Sequence, residues 1–221
     1  MIPQSRPVSS AFFGPWAVRA AFVIAIFGWG VGFYGPAIYL AEVIQRTQWS
    51  LSLVSLAVTL HFLFGALVVA NLPRLYAAFG LPAATVAGSV LAALGIAGWA
   101  LADQPWQLFV AALCSGAGWV TMGAVAVNTI IAPWYQRGRP RALASAYNGA
   151  SIGGVIFSPL WVALIGGFGF AMAAGIVGAA MVLVVATLAV CVLSKSPQAL
   201  GQVPDGGRAA DVAGAPRAAS L

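Results

Sequence analysis

A single histidine stands in the middle of a long apolar run of this 221-residue sequence. A polar side chain is costly to bury in so apolar a stretch, so His61 is a candidate functional residue. It could carry a proton or donate a hydrogen bond to a substrate. The alternative is a neutral imidazole bonded to a neighbouring helix. No carboxylate lies at the same depth of another apolar run, so both roles stay open.

Two later apolar runs carry polar residues at helical spacing. Cys114, Thr121 and Asn128 are seven residues apart, which predicts that they share one helix face. In the next run Asn148, Ser151 and Ser158 also share a face. Interhelical hydrogen bonds, worth about 0.6–2 kcal/mol each, are the alternative to a polar cavity. We expect a cavity lined by Tyr34, His61, Thr121, Asn128, Asn148 and Ser151.

Glycine and proline residues also occur within the apolar runs. Pro36 removes a backbone hydrogen bond and should bend the first run. Small residues at helical spacing let helices approach closely, and they also make a helix pliable. Both readings apply to the residues that we assign to packing or hinge motion, which are Gly28, Gly32, Gly35, Pro36, Gly149, Gly153, Gly154 and Pro159.

The sequence contains few residues that are arranged for catalysis. No two carboxylates share a face of an apolar run, and one histidine cannot form a His-rich metal site. Cys114 and Cys191 have neither disulfide-framework nor metal-ligand spacing. We therefore expect no catalytic residue, no bound metal and no cofactor, and we expect that the protein is not an enzyme. Glu42 and Arg46 are four residues apart, which predicts an ion pair at the end of the first run.

The amino-acid composition indicates which class of protein contains these residues. Hydrophobic residues make up 62% of the chain and charged residues only 6%. A soluble domain has about a quarter of its residues charged. This excludes a cytosolic enzyme, a disordered protein and a nucleic-acid-binding domain, although the net charge is +6. The chain is therefore an all-α integral membrane protein, since the runs are too long and too uniformly apolar for barrel strands.

Six segments are long enough to span a bilayer, which takes roughly 20 apolar residues. Short connections containing Pro73, Pro105, Pro140 or Gly166–Gly167 separate several of them. The predicted spans are Ala17–Ala41, Leu51–Asn71, Leu81–Ala102, Trp106–Ile131, Leu143–Ile165 and Phe168–Leu193.

Basic residues predict the orientation of the spans. With a cytoplasmic N-terminus, nine of the ten Lys and Arg residues lie on the cytoplasmic side and only Arg46 lies outside. Both termini are then cytoplasmic. We expect a cytoplasmic segment at 1–16, a six-helix bundle at 17–193 and a disordered tail at 194–221. The Ala- and Gly-rich composition suggests a bacterial inner membrane. The cytoplasmic loop before the fifth span contains Arg137, Arg139 and Arg141.

Three stretches in sequence order carry a family resemblance. They are Trp134–Leu143 (WYQRGRPRAL), Tyr147–Leu160 with its NGASIGG and SPL segments, and Lys195–Gly206 (KSPQALGQVPDG). Together they resemble the major facilitator superfamily, in particular its monocarboxylate-transporter and oxalate:formate-antiporter-like branches. The resemblance covers about residues 15–206. It matches the first six helices of a fold that has twelve.

The resemblance implies two inverted three-helix repeats and secondary transport of a small solute, such as a small organic anion. Six helices cannot enclose a cavity that forms between two halves. The chain is then expected to pair with itself, or with a separately encoded second half. Proton coupling through His61 is one option. The alternative is a non-transporting product of a truncated or split gene, or a membrane interaction partner.

Overall fold

The computed structural model describes residues 11–206, and all of the long elements in that range are helical. Six helices in this range are long and apolar enough to cross a membrane. Most boundaries agree with the predicted spans to within a few residues, but α1, α2 and α5 extend further. The helices are α1 (Gly14–Thr47), α2 (Leu51–Phe79), α3 (Leu81–Leu101), α4 (Pro105–Ile131), α5 (Arg139–Phe168) and α6 (Phe170–Leu193).

The first helix of each consecutive group of three is interrupted. In α1 a π-helix, Gly28–Phe33, separates the α-helical parts Gly14–Phe27 and Gly35–Thr47. In α4 a 3₁₀ turn, Val120–Met122, and the extended Gly123 interrupt the helix at a similar distance from its start. The second helices, α2 and α5, run unbroken for 29 and 30 residues.

The second and third helices of each group are joined by one glycine. Gly80 connects α2 to α3 with φ 79° and ψ 152°, and Gly169 connects α5 to α6 with φ 78° and ψ 161°. Positive φ is accessible to glycine without steric cost, so each turn needs only one residue. The two connections have nearly the same backbone conformation, as expected of repeated three-helix units.

The contacts between the two groups of three helices show the same correspondence. α1 packs on α5 and α4 packs on α2, so the first helix of each group contacts the second helix of the other. Gly149 of α5 lies against the carbonyl oxygen of Phe22, and Gly116 of α4 lies against that of His61. A Cβ at either glycine would collide with backbone. α3 completes the bundle between α4 and α6.

The segment after α6 is ordered as far as Gly206, so the prediction of disorder from residue 194 is wrong for 194–206. The amide of Asp205 donates to the carbonyl oxygen of Trp134 at 2.9 Å. The side chain of Gln202 accepts from the amide of Phe13 at 3.0 Å and donates to the carbonyl of Ala11 at 3.1 Å. We call Ser194–Gly206 the strap. The rest of the predicted tail, 207–221, and residues 1–10 lie outside the described range.

Arg46 does not pair with Glu42. Its guanidinium contacts the carboxylate of Asp103 at 3.2 Å and donates to the carbonyl of Ala102 at 2.7 Å. The bundle brings the end of α1 next to the connection between α3 and α4, and this long-range partner replaces the one predicted from local spacing.

Candidate substrate site

The break in α1 exposes backbone carbonyls that side chains then satisfy. In the π-helical part, Gly28–Phe33, the ordinary i→i−4 ladder is interrupted. The hydroxyl of Tyr39 donates to the carbonyl of Val31 at 3.0 Å. The Nε2 atom of His61 lies 2.9 Å from the carbonyl oxygen of Gly32. The π-helical conformation is therefore held partly by a residue of α2.

His61 belongs to a buried chain of hydrogen bonds that joins four helices. A carbonyl oxygen only accepts, so Nε2 carries a proton and donates to Gly32, while Nδ1 lies 2.8 Å from the hydroxyl of Ser115 and accepts from it when the imidazole is neutral. The indole N–H of Trp99 donates to the same hydroxyl oxygen at 3.1 Å. We call Trp99, Ser115, His61 and Gly32 the four-helix relay. A neutral imidazole satisfies every bond in it.

The two helix breaks meet in the centre of the bundle. Gly28 of α1 lies against the carbonyl of Met122, and Gly32 lies against the side chain of Trp119. A Cβ at either position would collide with α4. In many transporter folds discontinuous helices of the two repeats meet near the midplane and form the solute site.

Aromatic side chains surround this meeting point. Phe33 and Tyr34 are 48% and 37% exposed, and their ring centroids are 5.2 Å apart. The centroid of Trp29 is 6.1 Å from that of Tyr147 and 6.4 Å from that of Trp119. The aromatic wall consists of Trp29, Phe33, Tyr34, Phe62, Trp119 and Tyr147.

Polar groups lie beside the aromatic wall on α4 and α5. The amide of Asn128 donates to the hydroxyl of Tyr147 at 2.7 Å, and this hydroxyl lies 3.2 Å from the carbonyl of Ala124. Asn148 and Ser151 are exposed on α5. These groups can donate and accept hydrogen bonds but carry no formal charge.

The structure divides the six predicted cavity residues into two sets. Tyr34, Asn148 and Ser151 are exposed and Asn128 is half-buried. His61 is only 1% exposed, within the four-helix relay. Thr121 is also buried, against Gly88 of α3, and its hydroxyl donates to the carbonyl of Gly118. In this conformation His61 and Thr121 hold helices together and do not line an open surface.

The interruption of α4 explains why Thr121 does not share a helix face with Asn128, as its spacing predicted. Seven-residue spacing places residues on one face only along a continuous helix. The 3₁₀ turn and Gly123 lie between Thr121 and Asn128, so Thr121 contacts α3 while Asn128 contacts α5. Of the aromatic wall only Tyr34 was predicted from the sequence, although each of α1, α2, α4 and α5 carries aromatic residues that contribute to it.

The predicted packing glycines of α5 lie against α1, whereas Gly28 and Gly32 of α1 lie against α4. Gly153 contacts the carbonyl of Ile26, and Gly154 contacts the ring of Tyr34. Within α1, Gly35 leaves room for the hydroxyl of Tyr39, and Pro36 occupies the first turn after the π-helix. Pro159 lies inside α5, which stays helical through it.

A cleft of about 700 Å³ lies at the end of the bundle where α1 and α5 begin. Arg19, Arg137, Arg141, Ser145 and Asp205 contribute its polar lining. We call it the basic cleft. Arg139 and Arg141 were predicted in the loop before the fifth span but lie in the first turn of α5, because the helix begins earlier than predicted. Arg139 is exposed and is not among the lining residues.

The carboxylate of Asp205 accepts hydrogen bonds from three successive backbone amides. The donors are the amides of Gln136 at 3.2 Å, Arg137 at 2.8 Å and Gly138 at 3.0 Å. These bonds, with the nearby charge of Arg137, hold the pKa of Asp205 below its usual value. Burial, and to a smaller extent the charge of Asp205, raise the pKa of Tyr135. Asp205 is therefore ionised at neutral pH.

Within residues 11–206, no group of three or more His, Cys, Asp or Glu side chains is arranged to hold a metal ion. The fold is that of an integral, multi-pass helical membrane protein. The family model of the Major Facilitator Superfamily matches residues 20–218, and the chain belongs to this superfamily. Its members are membrane transporters and not enzymes. The comparison with curated proteins gives no match.

Proposed function

We propose that the chain transports a small solute by a secondary mechanism, and that the open surface beside the aromatic wall contacts the solute. The observation that carries the proposal is the meeting of two interrupted helices, one from each three-helix unit, beside the exposed ring of Tyr34. Asn148 and Ser151 are exposed on α5, the helix that packs against this ring. We further propose a member of the monocarboxylate or oxalate:formate-like branches in a bacterial inner membrane, with cytoplasmic termini.

The proposed solute is a small organic anion such as a monocarboxylate. The open surface offers hydrogen-bonding groups and aromatic faces, and the basic cleft lies at the start of the same helices. Clefts lined by one sign of charge raise the local concentration of oppositely charged solutes. The polar lining continues from Arg141 through Ser145 to Asn148 along α5, with helical spacing.

We propose that a second six-helix unit covers the open surface, either another copy of the chain or a separately encoded half. Large apolar side chains are exposed along the two helices that flank the site, including Leu63 at 57% on α2 and Val155 at 75% on α5. A self-pair gives a detergent-corrected mass of twice 22.5 kDa. A discrete monomer that still transports would contradict the self-pair.

Proton coupling through His61 receives no support from the geometry. Both imidazole nitrogens are occupied by Ser115 and Gly32, and the side chain is buried. We therefore propose that His61 positions α1 and that any coupling proton binds elsewhere in the pair. If transport remains equally dependent on a proton gradient after His61→Gln, with only its rate reduced, this assignment holds. Loss of the proton dependence alone would overturn it.

Uptake by purified protein in proteoliposomes tests the function. Lactate, formate and oxalate are the probes, with unlabelled solute inside the vesicles to drive exchange. Asn148→Ala should reduce uptake, whereas Thr187→Ala on α6, whose hydroxyl bonds only within its own helix, should not. If the self-paired protein takes up none of the three probes, the alternative is favoured, which is a non-transporting product or interaction partner.

A further inference from the structure

The basic cleft carries more positive charge than the groups around it balance. Three arginines line it, and Asp205 is its one acidic residue. In residues 11–206 the only salt bridge is that of Arg46 with Asp103, at the opposite end of α1. The guanidinium of Arg19 stacks at 4.8 Å over the ring of Trp16, which leaves its N–H donors available.

The chain itself shows which chemistry this region accepts. The carboxylate of Asp205 sits on three backbone amides at the start of α5, so a planar oxyanion already occupies one side of the cleft. Arg19 and Arg141 come from two different helices, α1 and α5, and both are exposed. Ser145 adds a hydroxyl one turn further along α5.

We propose that the basic cleft is an oxyanion-binding site, in which Arg19 and Arg141 bind a carboxylate or phosphate group beside the resident carboxylate of Asp205. The site lies outside the aromatic wall, and its occupancy does not depend on transport. Guanidinium groups bind both oxyanions through paired N–H donors. Pro15, Val18 and Ala142 supply an apolar wall suited to the carbon portion of such a ligand.

Asp205 gives the proposal a signature that a purely structural role would not produce. Its negative charge lies in the same cleft and repels an incoming oxyanion. Asp205→Asn should therefore tighten binding several-fold, while Arg19→Gln or Arg141→Gln should weaken it by about tenfold or more, as expected for one lost charge-assisted hydrogen bond. Arg141→Lys keeps the charge and should retain part of the affinity.

Binding is measured by calorimetry on the full chain in phosphatidylcholine nanodiscs, with inorganic phosphate and lactate at constant ionic strength. Matched controls are Arg74→Gln, at the same end of the bundle and bonded only to Asn71, and Arg139→Gln, at the first residue of α5 but outside the cleft. Neither control should change the affinity.

Thermal unfolding in nanodiscs with and without phosphatidylglycerol identifies the source of the oxyanion. Binding of free phosphate or lactate supports a soluble ligand. Stabilisation by phosphatidylglycerol that Arg141→Gln abolishes supports a lipid headgroup. The proposal is overturned if neither arm shows binding, if the control variants weaken it as much as the cleft variants, or if Asp205→Asn weakens it.

Discussion

Removing one buried hydroxyl should break the four-helix relay at its centre. Ser115→Ala eliminates both the bond to His61 at 2.8 Å and the bond from Trp99 at 3.1 Å. Alanine fits wherever serine does, so no steric clash accompanies the change. The indole N–H of Trp99 and the imidazole Nδ1 are then left buried without partners.

The magnitude follows from those two orphaned groups. A buried group without a partner costs about 1–3 kcal/mol in proteins generally. Interhelical hydrogen bonds within membranes average about 0.6 kcal/mol and reach about 1.7 kcal/mol. Two such bonds give an expected loss of about 1–3 kcal/mol in the free energy of unfolding.

Ser89→Ala is the matched control. Ser89 is equally buried, but its hydroxyl donates only to the carbonyl of Val86 in its own helix, at 2.7 Å. Bonds of this kind contribute little to helix stability. Reversible unfolding in mixed micelles, followed by tryptophan fluorescence, measures both variants. Equal losses for Ser115→Ala and Ser89→Ala would refute the relay as a stabilising tie.

Three further predictions concern packing, pH and a surface ion pair. Gly149→Ala places a methyl group against the carbonyl of Phe22 and should cost about 1–3 kcal/mol in the same unfolding assay, while Gly175→Ala, which has open space around it, should cost nothing. The carboxyl of Asp205 has a lower pKa in the folded protein than in the unfolded chain. Its bonds to the α4–α5 loop are therefore fully present at any pH above the pKa of the unfolded chain, and they are lost as the pH falls through the pKa of the folded protein. Fluorescence of the neighbouring tryptophan and tyrosine should then stay constant from neutral pH to about pH 5; a change near pH 6 would contradict this. Asp103→Asn removes an exposed partner of Arg46 and should cost less than about 1 kcal/mol in thermal unfolding; a larger loss would show that the pair is coupled to the bundle.

The spans were predictable because apolar length is a local property. The start of α2 and the end of α4 fall where the hydropathy predicts. Glycines and Pro36 marked this part of α1 as irregular, but the π-helical form of Gly28–Phe33 was not predicted. The interruption of α4 was not predicted either, because it has no proline and only Gly123 marks it, so Thr121 was placed on the wrong face.

Long-range partners explain most of the remaining differences. Ser115 is 54 residues from His61, and no local pattern connects them. Asp205 is 67 residues from Gly138, and the Ala-, Gly- and Pro-rich composition around it is typical of disorder. Only the folded bundle brings the strap onto the loop whose amides bind its carboxylate.

Thiol labelling tests most directly whether the open surface of α5 is a water-lined solute path. Ser151→Cys and Thr187→Cys are both exposed in the chain, on α5 and α6, and are compared after Cys114 and Cys191 are replaced by alanine. We predict that a water-soluble thiol reagent modifies Ser151→Cys in proteoliposomes, and that it leaves Thr187→Cys unmodified because that position faces lipid. Equal resistance of both cysteines would contradict the proposed solute path.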